Sequence, residues 1–167
     1  MVCEGDRIVG VETIDGTIST GTIICAAGPW SRTLLAPLGV DLPISALRVQ
    51  VAVLNRPLAF EPPHAAYIDA ALGMFIRPWS PGQTMVGIRC GDQHDDVDPD
   101  DWDPRNTVGY GDVAIETIAK RMPIMANASY SHGHAGLHDM TPDAHPIIGP
   151  AGPDSRKVRP SVSALPK

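Results

Sequence analysis

Apolar residues fall in short alternating or continuous runs along most of this chain, and helix-spaced apolar stripes are confined to two places. Arg7 to Thr13 and Ile14 to Ile18 read as two strands joined at Asp15-Gly16, a dipeptide that accepts the positive φ a tight hairpin needs. Gly21 to Ala26 runs through Ile23-Ile24-Cys25, and this continuous apolar character predicts a strand covered on both faces. Ser31 to Leu38 predicts a short helix, stopped by Gly39 with Pro43 beyond. Leu47 to Val53 alternates as a half-exposed strand does. Tyr67-Ile68-Asp69, Met74 to Pro78 and Thr84 to Ile88 are three more short strands, the last two parted by the turn segment Trp79 to Gln83. Four such strands in succession predict an antiparallel sheet. Asp92 to Asp103 is acidic and polar, a solvated loop; Gly111 to Met122 then has helical spacing, with Ile115, Ile118 and Ala119 on one face. Ser129 to Asp139 is the final strand, and no internal repeat is evident.

Composition narrows the class. At 167 residues, 43% hydrophobic and 19% charged, the chain has the length and balance to bury one ordinary core. Its 17 Pro and 16 Gly imply many turns and short strands, hence a strand-rich α+β chain. A net charge of −6, without any basic stretch, argues against a nucleic-acid surface. Cys3, Cys25 and Cys90 are odd in number and lack C-x-x-C spacing, so neither a disulfide framework nor a zinc ribbon is expected and a reducing cytoplasm is the simplest compartment. No apolar run reaches the ~18 to 20 residues a bilayer span requires, and no signal-like N-terminus precedes the first strand.

The candidate chemistry lies in two blocks. Ala26-Ala27-Gly28-Pro29-Trp30-Ser31 ends the Gly21 to Ala26 strand in a small-residue turn before a helix, where a backbone can approach a nucleotide closely. Met140-Thr141-Pro142-Asp143-Ala144-His145-Pro146-Ile147-Ile148-Gly149 is the second. In this order and separation, the blocks resemble the D-amino-acid oxidase, glycine oxidase and sarcosine oxidase-like family of FAD-dependent oxidoreductases, over roughly residues 7 to 150. The resemblance implies non-covalent FAD, contacted by Ala26, Ala27, Gly28, Trp30, Thr141, Pro142, Asp143 and Gly149. It also implies a small amine or amino-acid substrate met by Arg48, Gln50, Arg77 and His138, with His138 in the catalytic position over the flavin. Arg48 and Gln50 match an Arg-x-Gln on the first strand of the substrate domain, and alternation puts both on one face, where a sheet-surface salt bridge competes with a pocket role. Arg77, before Pro78, carries the same ambiguity.

Departures from the family matter as much. Gly136-Leu137-His138-Asp139-Met140-Thr141 has His where relatives carry Arg or Tyr, so a permanently charged bidentate carboxylate clamp is missing there. Gly136 replaces the cysteine that links to flavin in some sarcosine oxidases, which excludes that covalent bond. Neither a G-x-G-x-x-G turn before Arg7 nor a late glycine-rich flavin segment is present, and residues 151–167 read as unrelated tail. The expectation is an internal fragment with weak or no FAD binding alone, organised as a partial FAD-binding segment over 1–43, an antiparallel-sheet substrate domain with one helix over 44–139, a return to the FAD domain over 140–150, and an irregular tail.

Three further features have bland readings. Gly109-Tyr110-Gly111-Asp112-Val113-Ala114 fits G-x-G-x-x-A but follows no buried strand, and reads as a helix start with Gly as turn and Asp as cap. Asp95-Asp96-Val97-Asp98-Pro99-Asp100-Asp101 lacks the glycine and glutamate of an EF-hand calcium loop. His132, His134 and His138 share parity on one strand, which leaves a zinc site open as an alternative. A non-catalytic binding or assembly module, associating through unpaired strand edges, is the other alternative.

Overall fold

Even-numbered positions on three neighbouring strands carry the main core, and a single helix closes over them. The computed structural model describes residues 1–5, 7–60, 64–88 and 96–151. Cys90, Asp92 to Asp95 and all but the first residue of the tail lie outside the described residues. The chain divides into two units, residues 46–138 and residues 1–45 with 139–167.

In the first of these lies most of a five-stranded sheet of order β5-β6-β7-β4-β8, formed by β4 (Ser45–Asn55), β5 (Tyr67–Asp69), β6 (Met74–Pro78), β7 (Gln83–Ile88) and β8 (Ser129–Met140). The ladders β5–β6, β6–β7 and β4–β7 are antiparallel. Register aligns Tyr67 with Ile76, Ile76 with Val86, and Val86 with Ala52 in one cross-sheet row. Strand alternation sends that row, with Leu54 and Met74, to one face. There they cluster with Tyr110, Ala114 and Ile118 of α2 (Tyr110–Ala119) and with Met125. The buried stripe 110, 111, 114 and 118 has the i, i+4 spacing of one helix face. Gly111 belongs to it because a Cβ there would stand 2.5 Å from the Tyr130 ring.

The second unit carries a three-stranded antiparallel sheet, β1 (Val2–Glu4), β2 (Arg7–Thr13) and β3 (Gly16–Ser19). The expected turn is present: Gly16 has φ +121, and the Thr13 hydroxyl donates to the Gly16 carbonyl at 2.8 Å. A 3₁₀ turn (Gly28–Trp30), α1 (Ser31–Leu35) and a second 3₁₀ turn (Ala36–Leu38) follow, ended by Gly39 in the left-handed conformation.

Two expectations are corrected, and one strand is new. Gly21 to Ala26 forms no strand, because among the described residues no neighbouring strand supplies its hydrogen bonds. β1 was not foreseen; its three residues are too few to show alternation. Gly109 does start α2 in a left-handed conformation (φ +82), but no side chain caps the helix and Asp112 sits within the first turn. Asp96 to Asp103 is loop with isolated bridges, Leu47 to Asp96 and Asp98 to Asp101.

Candidate functional site

Two turns stand on one small core in the unit formed by residues 1–45 and 139–167. Leu35, Val40 and Leu42 are buried together, and Cys25, Leu38, Ile44 and Ile147 pack against them. Cys25 immediately precedes Ala26-Ala27-Gly28, while Ile147 lies inside the second block, so one apolar cluster carries the roots of both. Ala27 and Gly28 are half-buried; Ala26 and Trp30 are exposed. The Ala27 carbonyl accepts the Trp30 N–H at 3.1 Å. Gly28 has φ +53, with nothing within 4 Å of where a Cβ would stand. Glycine is thus favoured here by backbone conformation, and its bare surface is open.

The second turn is locked by its own polar groups. The Thr141 hydroxyl is shared as donor between the His145 carbonyl (2.8 Å) and Asp143 Oδ1 (3.0 Å), and Asp143 Oδ1 also accepts the His145 N–H at 3.1 Å. The Ala144 N–H closes the turn on the Thr141 carbonyl at 3.0 Å, and Ala144 takes a positive φ of +56. The His145 N–H, then the Thr141 hydroxyl, hold the Asp143 carboxyl below its ordinary value by stabilising the ionised form. Thr141 is half-buried, whereas Pro142, Asp143 and Gly149 are exposed.

The unit of residues 46–138 places the expected substrate residues differently from one another. The Arg48 guanidinium donates to the carbonyl of Asp103 (2.8 Å) and to that of Arg105. Gln50 is buried, and its Oε1 accepts the Thr107 N–H at 2.7 Å. Both side chains therefore hold the 103–107 segment against β4, which Ala135 also secures by donating to the Pro104 carbonyl at 2.8 Å. Arg105 in turn binds both carboxylate oxygens of Asp103, at 2.9 and 3.0 Å, and holds that carboxyl down at about 2. Arg77 is exposed, with its guanidinium carbon 4.8 Å from the Trp79 ring centre. His138 is exposed near the end of β8.

His132 and His134 are exposed too. Among the described residues, no group of three or more His, Cys, Asp or Glu side chains is gathered to hold a metal. The reason is spacing along the strand, since His138 lies roughly 13 Å beyond His134 at ~3.3 Å per residue. Cys3 and Cys25 are free.

Two contributors were not foreseen from the sequence. Trp79 supports Arg77, a pairing that the same-face i, i+2 positions of Arg77-Pro78-Trp79 encode. Phe75 covers Gly87, a cross-strand neighbour that only register reveals.

The fold agrees with what known proteins show. The chain matches the family model described as FAD dependent oxidoreductase over residues 2–160, and it belongs to that family. The match runs beyond residues 7 to 150, so the stretch after 150 is not foreign to the family up to 160. The chain is 29% identical over 147 residues to glycine oxidase of Pseudomonas aeruginosa, covering 88% of this chain and 37% of that one. It is 26% identical to D-amino acid dehydrogenase of Vibrio cholerae, covering 89% and 34%. The crystal structure of L-proline dehydrogenase from P. horikoshii superposes with a TM-score of 0.75 at 22% identity, covering 90% of this chain and 39% of that one. The chain thus spans well under half the length of these relatives. No described helix is long and apolar enough to cross a membrane.

Proposed function

We propose that this chain supplies the substrate-binding sheet and two flavin-facing turns of an FAD-dependent oxidoreductase that oxidises a C–N bond of an amine or amino acid. The observation that carries this reading is the shared core under Cys25 and Ile147, which roots both family blocks in one unit. The residues present fit a dinucleotide: an open, left-handed glycine at Gly28 admits close backbone approach, and the Thr141–Asp143–His145 ring holds a rigid second wall. FAD, when bound, accepts the hydride equivalent taken from the substrate carbon. Ala26, Ala27, Gly28 and Trp30 on one turn, and Thr141, Pro142, Asp143 and Gly149 on the other, would hold it.

In the sheet unit, Arg77 binds and orients the substrate, while His138 meets its polar end. Arg48 and Gln50 act one step back, by fixing residues 103–107. The Asp143 carboxylate stays ionised, accepting hydrogen bonds from its own turn rather than taking part in proton transfer.

Titrating the isotopically labelled chain with FAD, read by amide shifts and flavin fluorescence, tests this. Binding is expected to be weak, above the micromolar range, with shifts concentrated at residues 26–30 and 141–149. Shifts confined to residues 46–138, or none at millimolar FAD, overturn it.

A further inference from the structure

Odd-numbered positions of β6 and β7 form the sheet face turned away from α2. On that face Phe75 pairs with Gly87, and the Phe75 ring fills the volume that a side chain at 87 would take. Its Cε1 and Cζ lie 2.0 and 2.1 Å from where a Cβ would stand. The ring therefore lies down across the neighbouring strand while remaining 43% exposed, an apolar platform beside the exposed Ile68.

Two residues along β6, on the same face, stands Arg77. Its guanidinium carbon lies over the Trp79 ring, 4.8 Å from the ring centre, and a guanidinium seated on an aromatic face keeps N–H donors for a forked acceptor. The other described arginines of this unit are committed: Arg48 to two carbonyls, Arg56 to the Gln83 carbonyl, Arg105 to Asp103 and Arg121 to Asp69. Among the described residues, no carboxylate pairs with Arg77.

We propose that Arg77 and Phe75 select the substrate: an amino acid whose carboxylate forks onto Arg77 and whose apolar, preferably aromatic, side chain lies on Phe75. This rests on the reading above that the sheet unit receives the substrate. The backbone positions of the two residues are a two-residue step of about 7 Å apart, a spacing that suits an amino acid with a bulky side chain better than glycine. The favoured substrate class is accordingly that of large apolar amino acids, with glycine and N-methylglycine disfavoured.

The test is titration of the labelled whole chain with D- and L-phenylalanine, glycine and 2-phenylethylamine, read at the Arg77 Nε–H and the Gly87 amide. Phenylalanine of one hand is expected to saturate both signals at least about tenfold more tightly than glycine or the carboxylate-free amine. Arg77→Gln is expected to cost about tenfold for phenylalanine and little for 2-phenylethylamine, with Arg77→Lys rescuing only in part because an ammonium cannot fork. Phe75→Ala should collapse the preference over glycine while the amide spectrum stays folded. Equal binding of phenylalanine and glycine on this face overturns the proposal and leaves the substrate-face reading standing. If no amino acid shifts any residue of the face, both fall.

Discussion

Single side chains here act mostly by what they exclude or hold. Gly133 has the Asn106 side chain 2.1 Å, and the Val51 carbonyl oxygen 2.4 Å, from where a Cβ would stand. The second of these is backbone and cannot swing aside. At Gly87 the three nearest atoms to such a Cβ all belong to the Phe75 ring, a side chain that is partly exposed. Gly133→Ala is therefore expected to destabilise the chain by about 1–3 kcal/mol, and Gly87→Ala by under about 1 kcal/mol while expelling Phe75 from its seat. Urea unfolding of the two variants, with the Phe75 ring resonances as the local probe, checks both the order and the cause.

Asp69 links residue chemistry to pH. Its carboxylate pairs with Arg121 and accepts the N–H groups of Leu72 and Ala71, each at 3.0 Å. The Arg121 hydrogen bond, then the Leu72 N–H, lower its pKa from the ordinary 3.8. A carboxyl depressed in the folded state stabilises the fold above its unfolded pKa, and this is lost as pH falls through the folded value. The stabilisation is thus fully present from about pH 5 upward and fades below about pH 4. Arg121→Met should lower the urea midpoint near neutrality, and its gap from the parent chain should narrow steadily as acid is added. A gap independent of pH would mean that Arg121 works through packing alone.

At the scale of elements, the joint between α2 and the sheet rests on Tyr110. Its hydroxyl donates to the Gln50 carbonyl at 2.7 Å and accepts the Ile88 N–H at 3.0 Å, so one side chain at the start of α2 bridges β4 and β7. Tyr110→Phe leaves two backbone groups near the core to find other partners, and should cost about 1–3 kcal/mol. Thermal unfolding followed by circular dichroism measures it. The same neighbourhood shows how far sequence reading reached. Alternation correctly put Arg48 and Gln50 on a strand, but their partners lie 55 to 57 residues away in a segment with no periodicity of its own. Local pattern has no means of announcing such a pairing, so the strap that these two side chains form with residues 103–107 was not legible in the sequence.

Across the whole molecule, burial is uneven. Ala52, Val53, Leu54, Val86, Ala114, Ile118 and Met125 are fully buried in the unit of residues 46–138, whereas in the β1–β2–β3 sheet Gly10 is the only buried position among the described residues. Opening free energy follows buried apolar contact. Native-state hydrogen exchange is expected to show amides of residues 52–54 and 86 among the slowest, and those of 10–19 orders of magnitude faster. Comparable protection in the two groups would contradict this.

What the sequence determined by itself is most of the local elements and the family. Hairpin chemistry at Asp15-Gly16, strand alternation from 47 to 88, the helix stripe around Ile118, and the two turn blocks are all short-range signals, legible because they depend on neighbours within a few residues. Tertiary structure alone decided which polar side chains are spent and which are left to act. Arg48 and Arg77 look alike in sequence, each an arginine on a half-exposed strand. Long-range closure gave the first to the carbonyls of 103 and 105 and left the second over the Trp79 ring, with no ion pair among the described residues. It likewise left Gly21 to Ala26 without strand partners among the described residues, since a strand exists only where another backbone meets it.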